Sequence, residues 1–93
     1  MIKRFRHSGL ERFFRTGEDE SGINPQHAAR LRRLLTSLNA STGPSGMGLP
    51  GYRLHPLRGD RKGEWAVAVS GNWRLVFEFE GEDVIGVDLV DYH

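Results

Sequence analysis

Apolar residues recur at three- and four-residue intervals along the first half of this chain and at alternate positions along the second. Those are the periods of an amphipathic helix and of a half-buried strand. Leu10, Phe13 and Phe14 fall on one helical face. Ser8 is placed to cap that helix, with Glu11 three residues on as capping-box partner, and Gly17 to end it. Asn24-Pro25 reads as an N-cap followed by proline in the first turn. Ala28, Leu31, Leu34, Leu35 and Leu38 then make a stripe at helical spacing, with Arg30, Arg32 and Arg33 off it. Residues 2–5 predict a short edge strand, and residues 18–22 a loop. Residues 39–51, rich in Gly, Ser and Pro, predict a long irregular connection, a kind of segment that is often functional or mobile.

From Tyr52 the period is two. Tyr52 and Leu54 alternate with Arg53 and His55. Trp65, Val67 and Val69 share one strand face, and Gly71-Asn72 signals a tight turn. Trp73, Leu75, Phe77 and Phe79 share one face of the next strand, with Arg74, Val76 and Glu78 on the other. After a polar turn at 80–83, Ile85, Val87 and Leu89 alternate toward the end. Alternation puts Val90 and Tyr92 on one face and Asp91 and His93 on the other. The expected architecture is α+β, a single domain over residues 1–93. Two N-terminal helices pack on one face of a small antiparallel meander.

A chain of 93 residues, 38% hydrophobic with 12 glycines, fills one small core but no large enclosed cavity, which argues against a nucleotide-cofactor enzyme. The absence of cysteine removes disulfides, thiolate catalysis, iron–sulfur clusters and Cys-based zinc sites. The N-terminal MIKRFRH is charged with no apolar run behind it, so no secretory signal is expected. Glycines and prolines break the longest uncharged stretch, residues 34–52, so no membrane contact is expected either. The expected location is cytoplasmic. The net charge is only +1, yet eleven of the 13 basic residues are arginine and the charges are segregated. Residues 75–93 hold no Lys or Arg, whereas Lys3, Arg4, Arg6, Arg12 and Arg15 crowd the start. A clustered, arginine-rich face suits phosphate and is an electrostatic footprint for nucleic acid; a solvated mixed surface explains the same composition.

His55, Asp91, Tyr92 and His93 are candidates for chemistry. Cleaving RNA with its own 2′-hydroxyl needs a base for that proton, an acid for the departing 5′-oxygen, and positive charge at the crowded phosphate. Histidine titrates near neutrality, at about pH 6.5, and two can divide acid and base work. Asp91 can orient a histidine, Tyr92 can donate to phosphate or stack on a base, and Arg58 and Arg74 can neutralise the phosphate. Singly, each has a plain structural explanation: a surface histidine, a solvated strand end, a rim aromatic, a frayed terminus. No histidine spacing matches a metal motif, and neither metal nor cofactor is expected.

Three segments together carry a resemblance: LHPLRGDRKGEW (residues 54–65), GNWRLVFEFEG (71–81) and the terminal DYH (91–93), with the opening MIKRFRHSGLERFFRTG. The chain resembles the HigB toxins of the RelE/ParE superfamily over essentially its whole length, least in residues 36–51. The resemblance implies the toxin of a type II toxin–antitoxin pair, a ribosome-dependent endoribonuclease that cuts mRNA in the ribosomal A site. It implies the RelE-like fold, a small antiparallel sheet with helices on one side. It also implies a HigA-like helix-turn-helix antitoxin as partner, with operator DNA reached through that antitoxin. The family's catalytic histidine falls on His55, and its terminal acid, tyrosine and histidine on Asp91, Tyr92 and His93. Arg58 stands where relatives often carry Lys, which keeps the charge and makes it an electrostatic stabiliser rather than a base. The arginine of the NWR motif is Arg74.

The roles expected from this are His93 or Asp91 as base, His55 as acid, and Arg58 and Arg74 at the phosphate. Tyr92 positions or stacks the substrate. Asn72, Trp73, Arg61 and Lys62 are expected to contact RNA, and Arg30, Arg32 and Arg33 ribosomal RNA. Two other functions compete: a ParE-like toxin that poisons DNA gyrase without nuclease action, and a non-catalytic RNA-binding module.

Overall fold

The computed structural model describes residues 1–17 and 22–92. Residues 18–21 of the expected loop, and His93, lie outside the described residues. Helix α1 spans Ser8–Thr16 and α2 spans Ala28–Ala40. The strands are β1 (His55–Pro56), β2 (Glu64–Ser70), β3 (Trp73–Glu80) and β4 (Asp83–Asp91). They form one antiparallel sheet in the order β1-β2-β3-β4, each pairing with the strand before it. The two helices cover one face of it.

The local reasons are partly those expected. Asn24 Oδ1 accepts from the Gln26 N–H at 2.9 Å and starts a short 3₁₀ turn, Pro25–His27, that runs into α2. The α2 stripe is buried throughout, with Leu31, Leu34 and Leu38 fully so. Gly17 ends α1 in the left-handed conformation (φ 73°), which costs glycine no steric strain. The cap of α1 differs from expectation. It is His7, whose Nδ1 accepts from the Leu10 N–H at 2.9 Å, rather than Ser8. An unprotonated ring nitrogen one residue earlier satisfies the same orphan donor as a hydroxyl.

Three further differences shape the sheet. Residues 2–5 do not form a strand; they touch β4 through two isolated parallel bridges, Ile2↔Val84 and Phe5↔Val87. The Lys3 and Arg6 N–H groups each donate at 2.8 Å, to Val84 and Val87 carbonyls, so this segment covers the outer edge of β4. Tyr52 and Leu54 lie in no strand but still pack against the core. β1 is only two residues long; Pro56 lacks the N–H that a longer ladder would need. Finally, Ile85, Val87 and Leu89 do not share a face. Val76 pairs with Asp88 and Glu78 with Ile85, so two steps on β3 oppose three on β4. This bulge, with Gly86 at φ 63°, reverses the alternation. Val84 and Val87 therefore enter the core, Leu89 packs against it, and Ile85 turns away.

Leu75 and Phe77 of β3 are fully buried beneath the helices, together with Leu10, Phe13, Leu31, Leu34, Leu38 and Met47. The interior is close-packed, so truncation of Phe77 leaves a void that the helices cannot fill. We expect Phe77→Ala to lose about 3–5 kcal/mol, a large share of the roughly 5–15 kcal/mol of a typical domain, read as a lowered urea midpoint.

Candidate functional site

The face of the sheet turned away from the helices is built from rows of cross-strand partners, which point to the same side. One row runs His55, Ala66, Val76, Asp88 across all four strands. Beside it run Ala68, Arg74, Val90 on one flank and Glu64, Glu78, Ile85 on the other. Ala66 and Val76 are fully buried yet stand outside the core cluster under the helices. Longer side chains at the rim therefore close over these small residues, and the outer face is a surface of polar and charged side chains above a buried apolar layer. Clefts on the helix side, 240–380 Å³ in volume, are lined by none of His55, Arg58, Arg74, Asp91 and Tyr92, though Arg32 and Arg33 border two of them. A face of this kind, with its apolar residues covered and polar ones outward, encloses no small molecule and is open to an extended strand.

His55 sits half-buried at the β1 edge with its Nδ1 3.0 Å from the Arg53 carbonyl oxygen. With the proton on Nδ1 the ring donates to that oxygen and leaves Nε2 for proton transfer. Arg53 is the one non-glycine residue with positive φ among the described residues, at 56°. For a residue with a Cβ that conformation costs about 1–2 kcal/mol. Strain of this kind, two residues from a candidate acid, marks a backbone held in place by its surroundings.

Arg74 donates through Nη1 to the Gly71 carbonyl at 2.7 Å and to the Trp73 carbonyl at 2.9 Å. It thereby clasps the turn that carries Asn72. The Asn72 carbonyl in turn accepts from the Tyr92 N–H at 2.8 Å. This bond ties the end of the described chain to the β2–β3 turn, bringing Tyr92, Asn72 and Arg74 together on the flank of the His55 row. Arg58 and Lys62 are exposed on either side of the 3₁₀ turn Gly59–Arg61.

Two expected residues face the other way. Asp91 pairs with Trp73, and alternation turns both toward the helix side. Trp73 packs against the core and meets His27 edge-on, with ring centroids 5.8 Å apart. It does not stand on the face that carries His55. Nor is Arg30 a free cation: its Nη2 donates to the Gly51 and Ala68 carbonyls at 2.7 and 3.1 Å, bracing α2 against β2. The Arg32 guanidinium lies 4.5 Å from the Phe13 ring centroid.

Sequence reasoning missed Glu64 and Arg6. Arg61 donates to Glu64 twice, Nε to Oε2 at 3.1 Å and Nη2 to Oε1 at 3.0 Å. Arg6 Nη1 approaches the same Oε1 at 3.4 Å from the opposite end of the chain. The Arg61 hydrogen bonds hold the Glu64 carboxyl below its ordinary 4.5 despite the cost of burial, with the charges of Arg61 and Arg6 acting the same way. Arg61 is raised above its ordinary value, first by that hydrogen bond and more weakly by Tyr92 and Asp88, which lie within its electrostatic reach. The only sequence signal was the three-residue spacing of Arg61 and Glu64 across Lys62-Gly63. Among the described residues no His, Asp or Glu cluster is arranged to hold a metal.

The class is that of the RelE-like toxins, as the match to a family model shows. Residues 3–93 match the family described as RelE-like toxin of type II toxin-antitoxin system HigB. The chain belongs to this HigB-like toxin family, whose toxins have a cognate antitoxin as partner. It is 38% identical over 93 residues to the Endoribonuclease HigB of Proteus vulgaris, covering 100% of both chains. It is also similar in fold to the crystal structure of a histidine-to-glutamine mutant of YafQ from E. coli. That match has a TM-score of 0.59 at 19% identity, over 98% of this chain and 91% of that one.

The depressed Glu64 value sets the sign of a pH effect. A carboxyl whose folded pKa lies below its unfolded one stabilises the fold above the unfolded value. That contribution is lost as pH falls through the folded pKa. We expect Glu64→Gln to cost about 1–3 kcal/mol at pH 7, the worth of hydrogen bonds to a charged group. The difference from wild type should shrink as pH drops below 4.5, as read by urea unfolding at both pH values.

Proposed function

We propose that this toxin is a ribosome-dependent mRNA endoribonuclease, acting in the cytoplasm as a single domain over residues 1–93, and that the outer face of its sheet is the cleaving surface. The observation that carries the reading is the Tyr92–Asn72 backbone bond, which brings Tyr92 and the Arg74 turn to the flank of the face carrying His55. The name of the Proteus vulgaris relative supports it independently.

Of the two base candidates, Asp91 faces the helix side, so the base role falls to His93. It takes the proton of the RNA 2′-hydroxyl, whose oxygen attacks the adjacent phosphorus. The bond from phosphorus to the 5′-oxygen breaks as His55 gives that oxygen a proton from Nε2. The products are a 2′,3′-cyclic phosphate and a free 5′-hydroxyl. The Arg53 carbonyl holds Nδ1, which leaves Nε2 for the acid role. Arg58 and Arg74 stabilise the charge on the phosphate oxygens, and Arg74 does so with Nε and Nη2 while Nη1 stays on the turn. Tyr92 positions the substrate, and Asn72, Arg61 and Lys62 hold the strand. The partner is a HigA-like helix-turn-helix antitoxin that also carries the complex to operator DNA.

Inducible expression in a bacterial host, with growth followed and mRNA 5′ ends mapped, tests this. Wild type should arrest growth and create new ends inside translated codons. His55→Ala and His93→Ala should each lower cutting about 10²–10⁴-fold. Growth arrest without new ends would overturn the nuclease reading in favour of a gyrase-type poison. Cutting and killing that survive both substitutions would overturn the assignment of these histidines.

A further inference from the structure

We infer that Glu64 is a positioning residue for RNA: its carboxylate pins the Arg61 and Arg6 guanidinium groups side by side as a receiver for a backbone phosphate next to the one that is cut. The inference rests on the proposed cleavage of RNA by the outer face and extends it to residues outside the reacting set.

The layering is the first argument. The Glu64 side chain is 10% exposed, while those of Arg61 and Arg6 are 33% and 51% exposed. The acid lies underneath and the cations lie on top. The donor inventory is the second. Arg61 spends Nε–H and one Nη2 proton on Glu64, and its other three N–H donors have no partner among the described residues. A guanidinium gripped along one edge presents its other edge in a fixed plane, the geometry that phosphate oxygens match. Two guanidinium groups thus sit over one buried carboxylate, with Glu78 opposite Glu64 in the ladder and Asp88 within electrostatic reach of Arg61.

Location is the third. Glu64 lies on the same strand face as Ala66, two residues and about 7 Å along β2 from the row that carries His55. Arg61 lies within electrostatic reach of Tyr92. Successive RNA phosphates are separated by a comparable distance. Arg6 passes over Gly86, where an added Cβ would lie in ordinary van der Waals contact with its Nε at 3.5 Å. It comes to Glu64 from 58 positions away in sequence. Fold stability alone gives little reason for the arrangement. Glu64 stands opposite Glu78 in the ladder, a like-charge pairing that disfavours the sheet. A buried ion pair is, besides, commonly no better than an apolar one.

The test uses the full chain and ribosomes programmed with an mRNA that carries a 2′-deoxynucleotide at the cleavage position. Such an mRNA is bound but not cut. Glu64→Gln and Arg61→Gln are each expected to weaken binding about 5- to 10-fold. Each should lower the slope of log affinity against log salt by about 0.7, the loss of one single-strand phosphate contact. The double variant should lose much less than the product of the two single losses, because Glu64 acts through Arg61. Fully multiplicative losses, or an unchanged salt slope, would overturn the inference. If Glu64→Gln does not fold, Arg6→Gln and Arg61→Gln carry the test with Glu64 in place, and an unchanged slope in both overturns it. Cleavage of the all-ribose mRNA by wild type is read separately. Failure there, with the binding losses intact, would remove the nuclease reading and leave the phosphate receiver standing.

Discussion

Leu75 and Phe77, fully buried beneath the two helices, decide which way every other side chain of β3 points. Alternation turns Arg74, Val76 and Glu78 to the opposite side. The ladder then carries that choice outward, from Val76 to Ala66 and His55 on one hand and to Asp88 on the other. A slip of one residue would bury arginine and expose phenylalanine, so hydrophobic burial on one face enforces the register on the other. The outer face therefore needs no core of its own. Its geometry is inherited from the helix side, which leaves its residues free to be selected for chemistry.

Two departures from regular alternation adapt that inheritance to a site. The β4 bulge at Gly86 keeps Val84 and Val87 in the core while sending Ile85 outward, and it leaves a side-chain-free step that Arg6 crosses. At the other edge, Arg53 takes a left-handed backbone and presents its carbonyl to His55. The bulge is tolerated because the pairing on either side of it is strong. β3 and β4 share an extended ladder on either side of the bulge, which supplies that support. The Tyr92 to Asn72 bond does the same for the end of the chain, which otherwise tends to fray.

What could be read in the sequence was what depends on short-range periodicity. The α2 stripe, the Gly17 stop, the Asn24-Pro25 start, the Gly71-Asn72 turn and the β3 alternation all follow from neighbours within a few residues. Most of the misreadings need partners far along the chain, the α1 cap being a local exception. His7 displaced Ser8 as cap because a ring nitrogen happened to reach the Leu10 N–H. The bulge is invisible without knowing that Glu78 opposes Ile85. Glu64 reads as an ordinary surface acid until Arg6 and Arg61 are brought over it. Motif resemblance marked Asp91 and Trp73 with the rest of the site, but motif spacing carries no face. The register does, and it turns both toward the helices.

The charge pattern teaches the same lesson about range. Basic residues crowd the start of the chain and acidic ones its end, which on paper suggests a basic face. In space the two ends are adjacent, because the N-terminal segment runs beside β4. Arg4 meets Glu80 at 3.3 Å and the N-terminal amine lies 3.8 Å from Asp83. These exposed pairs are worth little in stability, at most about 1 kcal/mol each, but they cancel long-range field. A surface so neutralised attracts RNA weakly from a distance. Affinity must then come from the few guanidinium edges that ion pairs leave pointing outward, such as those of Arg61 and Arg74. Contacts of this short range engage only once the strand is already placed, and in the proposed function that placement is the ribosome's.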